Sequence, residues 1–306
     1  MIETTFYVEN YGEKLFVRKF SPETEPIGVI QIVHGMISYS GRWYDTAKYF
    51  CDQGFVVFVS DLRGHGNSVK SKEVLGILDP DIGYKEIASD IDAIVNTYYP
   101  EYRLLPMFVI GHSFGSFITQ YYLETYRKPN LKGIILSGTN GPRRLVMFLG
   151  KVACHIMTSI CGYTNRATWL QKIMVNGYNS KFPEDSEAAW LSRDPEARET
   201  YEDSTENKFT ISYGFCDTIV DVLHYIHRKK NMKLVPKDMP ILMLTGSEDP
   251  LSDGGKRVDR LQKELTALGV KDITHVKYPG ARHEPFNEIN KVQVRQDVLD
   301  WMHKHM

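Results

Sequence analysis

The chain is short of the features that mark export, disulfide bonding and nucleic-acid binding. It has four cysteines in 306 residues and no C-x-x-C pair, which favours reduced thiols over disulfides or a zinc site. Its N-terminus lacks a basic region followed by an apolar region, so we expect a cytoplasmic protein. The formal net charge of −1 gives no general attraction to nucleic acid or to an anionic membrane.

Long apolar runs and cofactor motifs are also scarce. The longest apolar stretch, residues 145–161, is interrupted by Lys151 and His155 and is shorter than the ~20 residues that a bilayer crossing needs. We interpret it as a buried or lid helix. No phosphate-binding glycine motif accompanies the glycines near residue 65, and His224 and His227 have no H-E-x-x-H context. We therefore expect neither a metal nor a cofactor.

What the chain does contain is a series of short, nearly continuous apolar runs. Such runs are typical of strands that are buried on both faces of a parallel sheet. They lie at residues 28–33, 55–59, 107–110, 133–136, 241–244 and 273–276. Alternating segments at 5–8 and 14–18, separated by a polar turn, predict an antiparallel hairpin before them.

Helical periodicity fills the gaps between the runs, as at 87–98, 258–268 and 294–302. The pattern predicts an α/β fold with a mostly parallel central sheet flanked by helices. Between about 140 and 235 the strand signal stops and a helical, aromatic segment intervenes. We predict a core formed by 1–140 and 236–306 and an inserted helical cap, which we define as residues 141–235.

A strand, turn and helix pattern surrounds the pentapeptide Gly111-His112-Ser113-Phe114-Gly115. This is the context of a nucleophile elbow, in which a strained turn exposes the serine hydroxyl and glycines let strand and helix approach closely. Ser113 is therefore the candidate nucleophile.

A serine nucleophile needs a histidine as its base and an acid that orients the histidine. After a nucleophile elbow these two partners follow the serine in the chain, the acid before the histidine, on loops at the ends of later strands. Asp249 follows the run at 241–244, and His283 follows the run at 273–276. We predict His283 as general base and Asp249 as the acid that orients it. Weaker candidates are Glu248 and Asp253 for the acid and His275 for the base.

The oxyanion that forms during acyl transfer needs backbone N–H donors. One donor is predicted at Phe114, the residue after the nucleophile, and another at Met36, in the loop that opens with His34-Gly35 after the run at 28–33. The turn-rich segment from Asp61 to Ser68 is interpreted as structural.

Taken together, these motifs resemble the α/β-hydrolase superfamily and, within it, the monoglyceride lipase and lysophospholipase-like serine hydrolases. The segment 190–196 also looks like part of the cap of bacterial lysophospholipase-like members. The extended glycine-rich oxyanion motif of some other lipases is absent. The resemblance implies cofactor-independent cleavage of small carboxylic esters, such as monoacylglycerols or lysophospholipids with one long acyl chain, through an acyl-enzyme on Ser113.

An apolar surface within the cap gives physical support to a lipid-like substrate. Phe148 and Ile156 belong to this surface, and we hypothesise that they contact the acyl chain and set its preferred length. The alternative is that the same helix simply packs its apolar face on the core. Weak peripheral contact with a membrane through the cap is a further possibility.

Other chemistries on the same triad stay open. A short-chain esterase, a thioesterase, an acyltransferase and an aminopeptidase would carry identical catalytic residues, because selection among substrates lies in cap contacts. A binding protein that keeps the fold without catalysis is disfavoured by the intact triad. The sequence does not determine the oligomeric state.

Overall fold

The computed structural model describes residues 1–182 and 186–306, and an eight-stranded sheet forms its centre. The spatial order of the strands is β1-β2-β4-β3-β5-β6-β7-β8. The strands are β1 Ile2–Asn10, β2 Glu13–Ser21, β3 Gly28–Val33, β4 Phe55–Ser60, β5 Met107–His112, β6 Leu131–Ser137, β7 Ile241–Gly246 and β8 Ile273–Tyr278.

The sheet is antiparallel at one edge and parallel elsewhere. β1 and β2 form the opening hairpin and β2 pairs antiparallel with β4, whereas the pairs from β4 to β8 are parallel. Every residue of β3, β4, β5 and β7 is buried, as continuous apolar runs predict for strands covered on both faces. The predicted α/β fold with a mostly parallel sheet is confirmed.

Helices follow most of the strands and cover both faces of the sheet. The helices outside the cap are α1 Tyr44–Asp52, α2 Tyr84–Tyr102, α3 Phe114–Thr125, α9 Lys256–Ala267 and α10 Lys291–Lys304. The helices within the cap are α4 Arg144–Cys161, α5 Thr168–Asn179, α6 Pro195–Asp203, α7 Tyr213–Ile226 and α8 Lys229–Met232. The predicted helical segments at 87–98, 258–268 and 294–302 coincide with α2, α9 and α10.

Two hydrophobic clusters lie on opposite faces of the sheet. In β3, Val29 and Val33 contribute to one cluster, with α2 and α9, while Ile30 and Ile32 contribute to the other, with α1 and α10. This alternation follows from the two-residue period of a strand. The two cores hold the sheet rigid, and therefore fix the positions of the loops at the carboxyl ends of its parallel strands.

The cap helices lie in the chain between β6 and β7, and of the two expectations for α4, a buried helix or a lid helix, the structure contradicts the buried one. This helix packs against α7, with Lys151 paired to Asp221 at 2.8 Å, but most of its large apolar side chains are exposed. Among the described residues α4 is the one helix that is long and apolar enough to span a membrane, and only 11% of it is buried. The sequence analysis considered this run too short for a bilayer crossing, whereas by length and composition the 18-residue helix is long enough.

Candidate active site

Ser113 lies at the turn between β5 and α3 and has a strained backbone. Its φ of +51° and ψ of −120° fall in a region that side chains other than glycine rarely adopt. The Ser113 N–H donates to the carbonyl of Ser137 at the end of β6, at 2.9 Å, which holds the turn against the neighbouring strand. The hydroxyl group thus stands at the carboxyl edge of the sheet.

Neighbouring glycines make this turn sterically possible. A Cβ at Gly115 would lie 2.3 Å from the carbonyl oxygen of Val33, and a Cβ at Gly111 would lie 2.4 Å from Thr119 Oγ1. Both distances are far below van der Waals contact, so only glycine allows α3 to approach β3 and β5 this closely. The packing thus accounts for both glycines of the pentapeptide.

His283 and Asp249 converge on Ser113 from the loops after β8 and β7. His283 Nε2 lies 2.9 Å from Ser113 Oγ, and His283 Nδ1 lies 3.1 Å from Asp249 Oδ1. His283 therefore lies at hydrogen-bonding distance from both Ser113 and Asp249, although Ser113 and His283 are 170 positions apart in sequence. The arrangement can transfer a proton from the serine hydroxyl to an imidazole whose orientation the carboxylate fixes.

The environment of Asp249 keeps this carboxylate ionised. Its burial raises the pKa, but the charge and hydrogen bond of His283 and the N–H of Leu251, at 2.9 Å, outweigh burial and hold the pKa below its usual range. The other candidates lie elsewhere in the contact network. His275 bonds to Thr245 and Asp259, and it is Asp249, rather than Glu248 or Asp253, that contacts His283.

The two predicted oxyanion donors lie on different elements beside Ser113. Phe114 is the first residue of α3, where a backbone N–H has no acceptor within the helix. Met36 follows Gly35 in the loop after β3 and lines the cavity at Ser113. A Cβ at Gly35 would lie only 3.0 Å from Ser113 Cβ, so glycine lets this loop approach the nucleophile.

Two buried histidines hold the loop that carries Met36. His34 Nε2 accepts the N–H of Leu62 at 2.9 Å, and His65 Nε2 accepts the N–H of Ile37 at 3.3 Å. Burial lowers the pKa of His34 to about 4 and that of His65 to about 3, so both rings are neutral and can accept these bonds. The segment 61–68 thus has the structural role that its turn chemistry predicts.

A cavity of about 630 Å³ opens above Ser113 and His283. Its apolar lining comes chiefly from the loop after β3, from α5 and from the turn before α6, and its polar lining includes Glu187, Glu202 and Lys208. The apolar and aromatic residues of the lining are Met36, Ile37, Met174, Val175, Tyr178, Trp190, Leu191, Tyr201 and Phe209. The volume is within the usual range for small-molecule sites.

Phe148 and Ile156 are not part of this lining. Both belong to α4, where 50% of Phe148 and 54% of Ile156 is exposed. The ring of Phe148 packs near His224 on α7 instead. The structure places α5 in the position that the sequence hypothesis assigned to α4, because α5 residues line the cavity whereas no residue of α4 does.

Sequence reasoning missed several residues that surround His283, the candidate base. The Trp190 ring stacks on the His283 ring with centroids 4.7 Å apart, and Arg42 forms a buried ion pair with Glu284 in the cavity wall. Arg42 also lies over the ring of Tyr201. The only sequence signal was the resemblance of segment 190–196 to a known cap, which carried no role for any residue.

No metal-binding cluster of three or more His, Cys, Asp or Glu side chains occurs within residues 1–182 and 186–306. His227, one of the two histidines with the weak metal-like spacing, is buried and bonds through Nδ1 to the Leu223 carbonyl at 3.0 Å.

Comparisons with known proteins identify relatives along nearly the whole chain. The family model described as "Serine aminopeptidase, S33" (Hydrolase_4) matches residues 24–290. A monoacylglycerol lipase from Mycolicibacterium smegmatis is 25% identical over 303 residues, which cover 96% of this chain and 95% of that protein. A human monoglyceride lipase is 24% identical over 294 residues, which cover 91% of this chain and 86% of that protein.

Solved structures agree with this assignment. A thermostable carboxyl esterase from Bacillus coagulans, in complex with glycerol, superposes with a TM-score of 0.88 at 25% identity, covering 99% of this chain and 98% of that one. A soluble variant of monoglyceride lipase from Saccharomyces cerevisiae shares the fold with a TM-score of 0.77 at 18% identity, covering 100% and 97%. The resemblance stated from the sequence motifs is confirmed.

Proposed function

We propose that this chain cleaves monoacyl esters of the monoacylglycerol type through an acyl-enzyme on Ser113. It belongs to the serine aminopeptidase S33 family of α/β-hydrolases and is a serine hydrolase of small carboxylic esters. The observation that carries the proposal is the continuous contact from Ser113 Oγ through His283 to Asp249. The names of the full-length relatives support the substrate class.

In the proposed mechanism the reaction has two similar halves. His283 Nε2 takes the proton of Ser113 as the hydroxyl oxygen attacks the ester carbonyl, and it returns that proton to the departing alcohol. A water molecule, deprotonated by the same nitrogen, then attacks the acyl-enzyme carbonyl. The bond between the acyl carbon and Ser113 Oγ breaks as His283 returns the proton to Oγ, which releases the carboxylic acid and restores the enzyme. The N–H groups of Met36 and Phe114 would stabilise the oxyanion in each half, each contributing about 10²–10³ in rate.

The acyl chain would lie along α5 rather than along α4. Met174 and Val175 give this side of the cavity an apolar wall, with Tyr178 one turn further along the helix. The lining also carries hydroxyl, amide, carboxylate and ammonium groups, which can hydrogen-bond to a polyol such as glycerol. A cavity that combines apolar and polar lining groups fits a monoacyl ester better than a triester with three long chains.

We also propose that α4 brings the protein to lipid surfaces without crossing them. Leu145, Leu149, Val152 and Ile160 are spaced to form one exposed stripe, with exposed fractions from 42% to 78%. A stripe of this kind on an amphipathic helix binds the interfacial region of a bilayer. A substrate with one long chain is concentrated there, so the surface and the proposed substrate agree.

The ion pair of Lys151 with Asp221 ties the polar side of α4 to α7, which supports a helix that lies in the interfacial region of a bilayer and does not cross it.

The cysteines Cys51, Cys154, Cys161 and Cys216 are all free, which is compatible with a reducing compartment such as the cytoplasm. We therefore propose a cytoplasmic protein that binds membranes reversibly.

A peptidase that releases N-terminal residues is the second candidate. Glu187 and Glu202 line the cavity and could pair with the ammonium group of a peptide N-terminus. However, Glu202 already accepts bonds from Ser186 Oγ at 2.6 Å and from the N–H of Ala188 at 3.1 Å. This engagement leaves less of its capacity for a substrate, and we rank the esterase function first.

A substrate profile separates these functions. Purified protein would be assayed on a long-chain monoacylglycerol, a lysophospholipid, a short-chain ester, an acyl thioester and an aminoacyl amide, with added glycerol to detect acyl transfer. We expect the highest kcat/KM on the monoacylglycerol. Preferential turnover of the aminoacyl amide would contradict the proposal and establish the peptidase.

A further inference from the structure

Trp190 contacts the imidazole that the proposed mechanism uses as its base. The indole and imidazole rings are 4.7 Å apart at their centroids with an angle of 29° between their planes, which is a stacked arrangement. We propose that Trp190 is a positioning residue, contributed by the cap, that holds His283 in register with Ser113 and stabilises the imidazolium formed during each half-reaction. This inference rests on the proposed role of His283.

The backbone around Trp190 ties the cap to the histidine loop on both sides of His283. The N–H of His283 donates to the Trp190 carbonyl at 3.3 Å, and the N–H of Glu284 donates to the Leu191 carbonyl at 2.8 Å. The guanidinium of Arg282 donates to the Ala189 carbonyl at 2.7 Å. Three consecutive residues of the loop are therefore bonded to three consecutive residues of the cap, so the cap directly constrains the loop that carries the base.

A buried carboxylate reinforces this junction. Glu288 is fully buried and accepts the N–H of Arg282 at 2.8 Å and the N–H of Arg193 at 3.1 Å. The Arg193 side chain adds an ion pair to the same carboxylate at 2.9 Å. One carboxylate thus joins the residue before His283 to the cap segment that contains Trp190, and charge-assisted bonds of this kind are stronger than neutral ones.

Trp190 is itself held in place by α5. Its backbone N–H donates to Asn179 Oδ1 at 2.9 Å, and its indole ring packs on the Tyr178 ring at a centroid distance of 4.8 Å. The first contact fixes the backbone at Trp190 and the second packs against its side chain, so the indole can restrict the rotation of the ring on which it stacks. The stacking therefore provides a defined surface for His283.

Electrostatics add to this positioning effect. The electron-rich face of an indole attracts a cation, and tryptophan is the strongest of the aromatic side chains in this respect. The other groups around His283 are Asp249, Ser113, His112 and Glu284, which is paired with Arg42. Burial, followed by the charge of His283, lowers the pKa of His112 to about 3, so this nearby ring stays neutral and does not repel the imidazolium.

The test compares Trp190→Phe with Trp190→Leu, with Trp169→Leu as the control. Trp169 is an exposed tryptophan on α5, outside the cavity lining. We expect Trp190→Leu to lower kcat roughly tenfold, with a much smaller change in KM, and to move the acidic limb of the kcat/KM profile to lower pH. Phenylalanine, which keeps an aromatic face, should retain most of both properties, and the control should match the wild type.

Two results would overturn the inference: a change confined to KM, which would make Trp190 only a wall of the substrate site, or equal effects of Phe and Leu. Fluorinated tryptophan at position 190 covers the case in which Trp190→Leu does not fold, because fluorination weakens the cation–π attraction without changing the shape. A progressive shift of the acidic limb with fluorine content supports the inference, and an unchanged limb overturns it.

Failure of the proposed function would look different from failure of this inference. If Ser113→Ala kept wild-type ester turnover, the mechanism itself would be wrong, whatever the Trp190 variants did. If Ser113→Ala were inactive while the Trp190 variants behaved like the wild type, the mechanism would stand and only the role of Trp190 would fail.

Discussion

At the residue scale, the carboxylate of Asp249 is the group whose charge matters most to the proposed base. Asn in its place would keep the size of the side chain but could stabilise the wrong tautomer of His283 and would not stabilise its protonated form. We expect Asp249→Asn to lower kcat/KM for ester hydrolysis by about 10³–10⁴ with little change in fold. Steady-state kinetics and circular dichroism would measure both properties.

Glu248→Gln is the matched control for this substitution, because it removes a neighbouring carboxylate from the same loop without touching His283. Its kcat/KM should equal that of the wild type. If Glu248→Gln lost activity and Asp249→Asn kept it, the assignment of the acid would be wrong.

Glu124 is a second residue with an unusual environment, far from the chemistry. It belongs to the last turn of α3 and is buried among mostly apolar side chains, and this burial raises the pKa of its carboxyl group to about 9 from 4.5. The folded state therefore keeps this proton between about pH 4.5 and 9, where the unfolded chain has released it. Hence the free energy of unfolding falls as the pH rises through that window.

The neutral isostere Gln should remove this penalty. We expect Glu124→Gln to unfold at a higher temperature than the wild type at pH 8, by about a few kcal/mol in free energy, and at nearly the same temperature at pH 4.5. Thermal unfolding at several pH values would measure the difference. The exposed Glu199→Gln on α6 serves as the control, and a gap that did not widen with pH would contradict the account of Glu124.

At the element scale, α4 and α5 show why the cap was harder to predict than the core. Both helices have apolar periodicity, and periodicity alone does not tell whether an apolar side faces a cavity, a core or a membrane. The sequence hypothesis chose Phe148 and Ile156 on α4, whereas the cavity is lined by Met174 and Val175 on α5. The choice depends on how the cap helices pack, which is a tertiary property.

The exposed side of α4 makes a prediction about membranes. A double substitution, Leu149→Glu with Ile160→Glu, should weaken binding to vesicles at least tenfold, because each glutamate would have to lose its hydration in the interface. Vesicle cosedimentation would measure binding, and turnover of a water-soluble ester would remain near the wild-type value.

Leu104→Glu is the control for this experiment, since Leu104 is 90% exposed but lies beyond α2, outside the cap. It should bind vesicles as the wild type does. Equal loss of binding in both variants would indicate a nonspecific effect of charge, and unchanged binding of the α4 variant would contradict the proposed surface.

At the scale of the whole molecule, the parallel sheet explains how much of the site could be predicted. The carboxyl ends of β3, β5, β7 and β8 meet at one edge, so residues just after these strands lie close together once the strands are assigned. Ser113, Asp249 and His283 are local to such ends, and their convergence follows from the strand order.

Trp190 illustrates what could not be predicted. It reaches His283 from a turn in the cap, and its position depends on Glu288, Arg193 and Asn179, which are scattered along the chain. No local pattern marks such a contact, because it arises from packing between the cap and the core.

The most direct test of the central claim is labelling of the folded protein with a fluorophosphonate probe, followed by identification of the modified residue by mass spectrometry. The account predicts a single adduct on Ser113, absent in Ser113→Ala, together with a loss of ester turnover of roughly 10⁶ in kcat in that variant. An adduct on another residue, or ester turnover in Ser113→Ala at the wild-type rate, would contradict it.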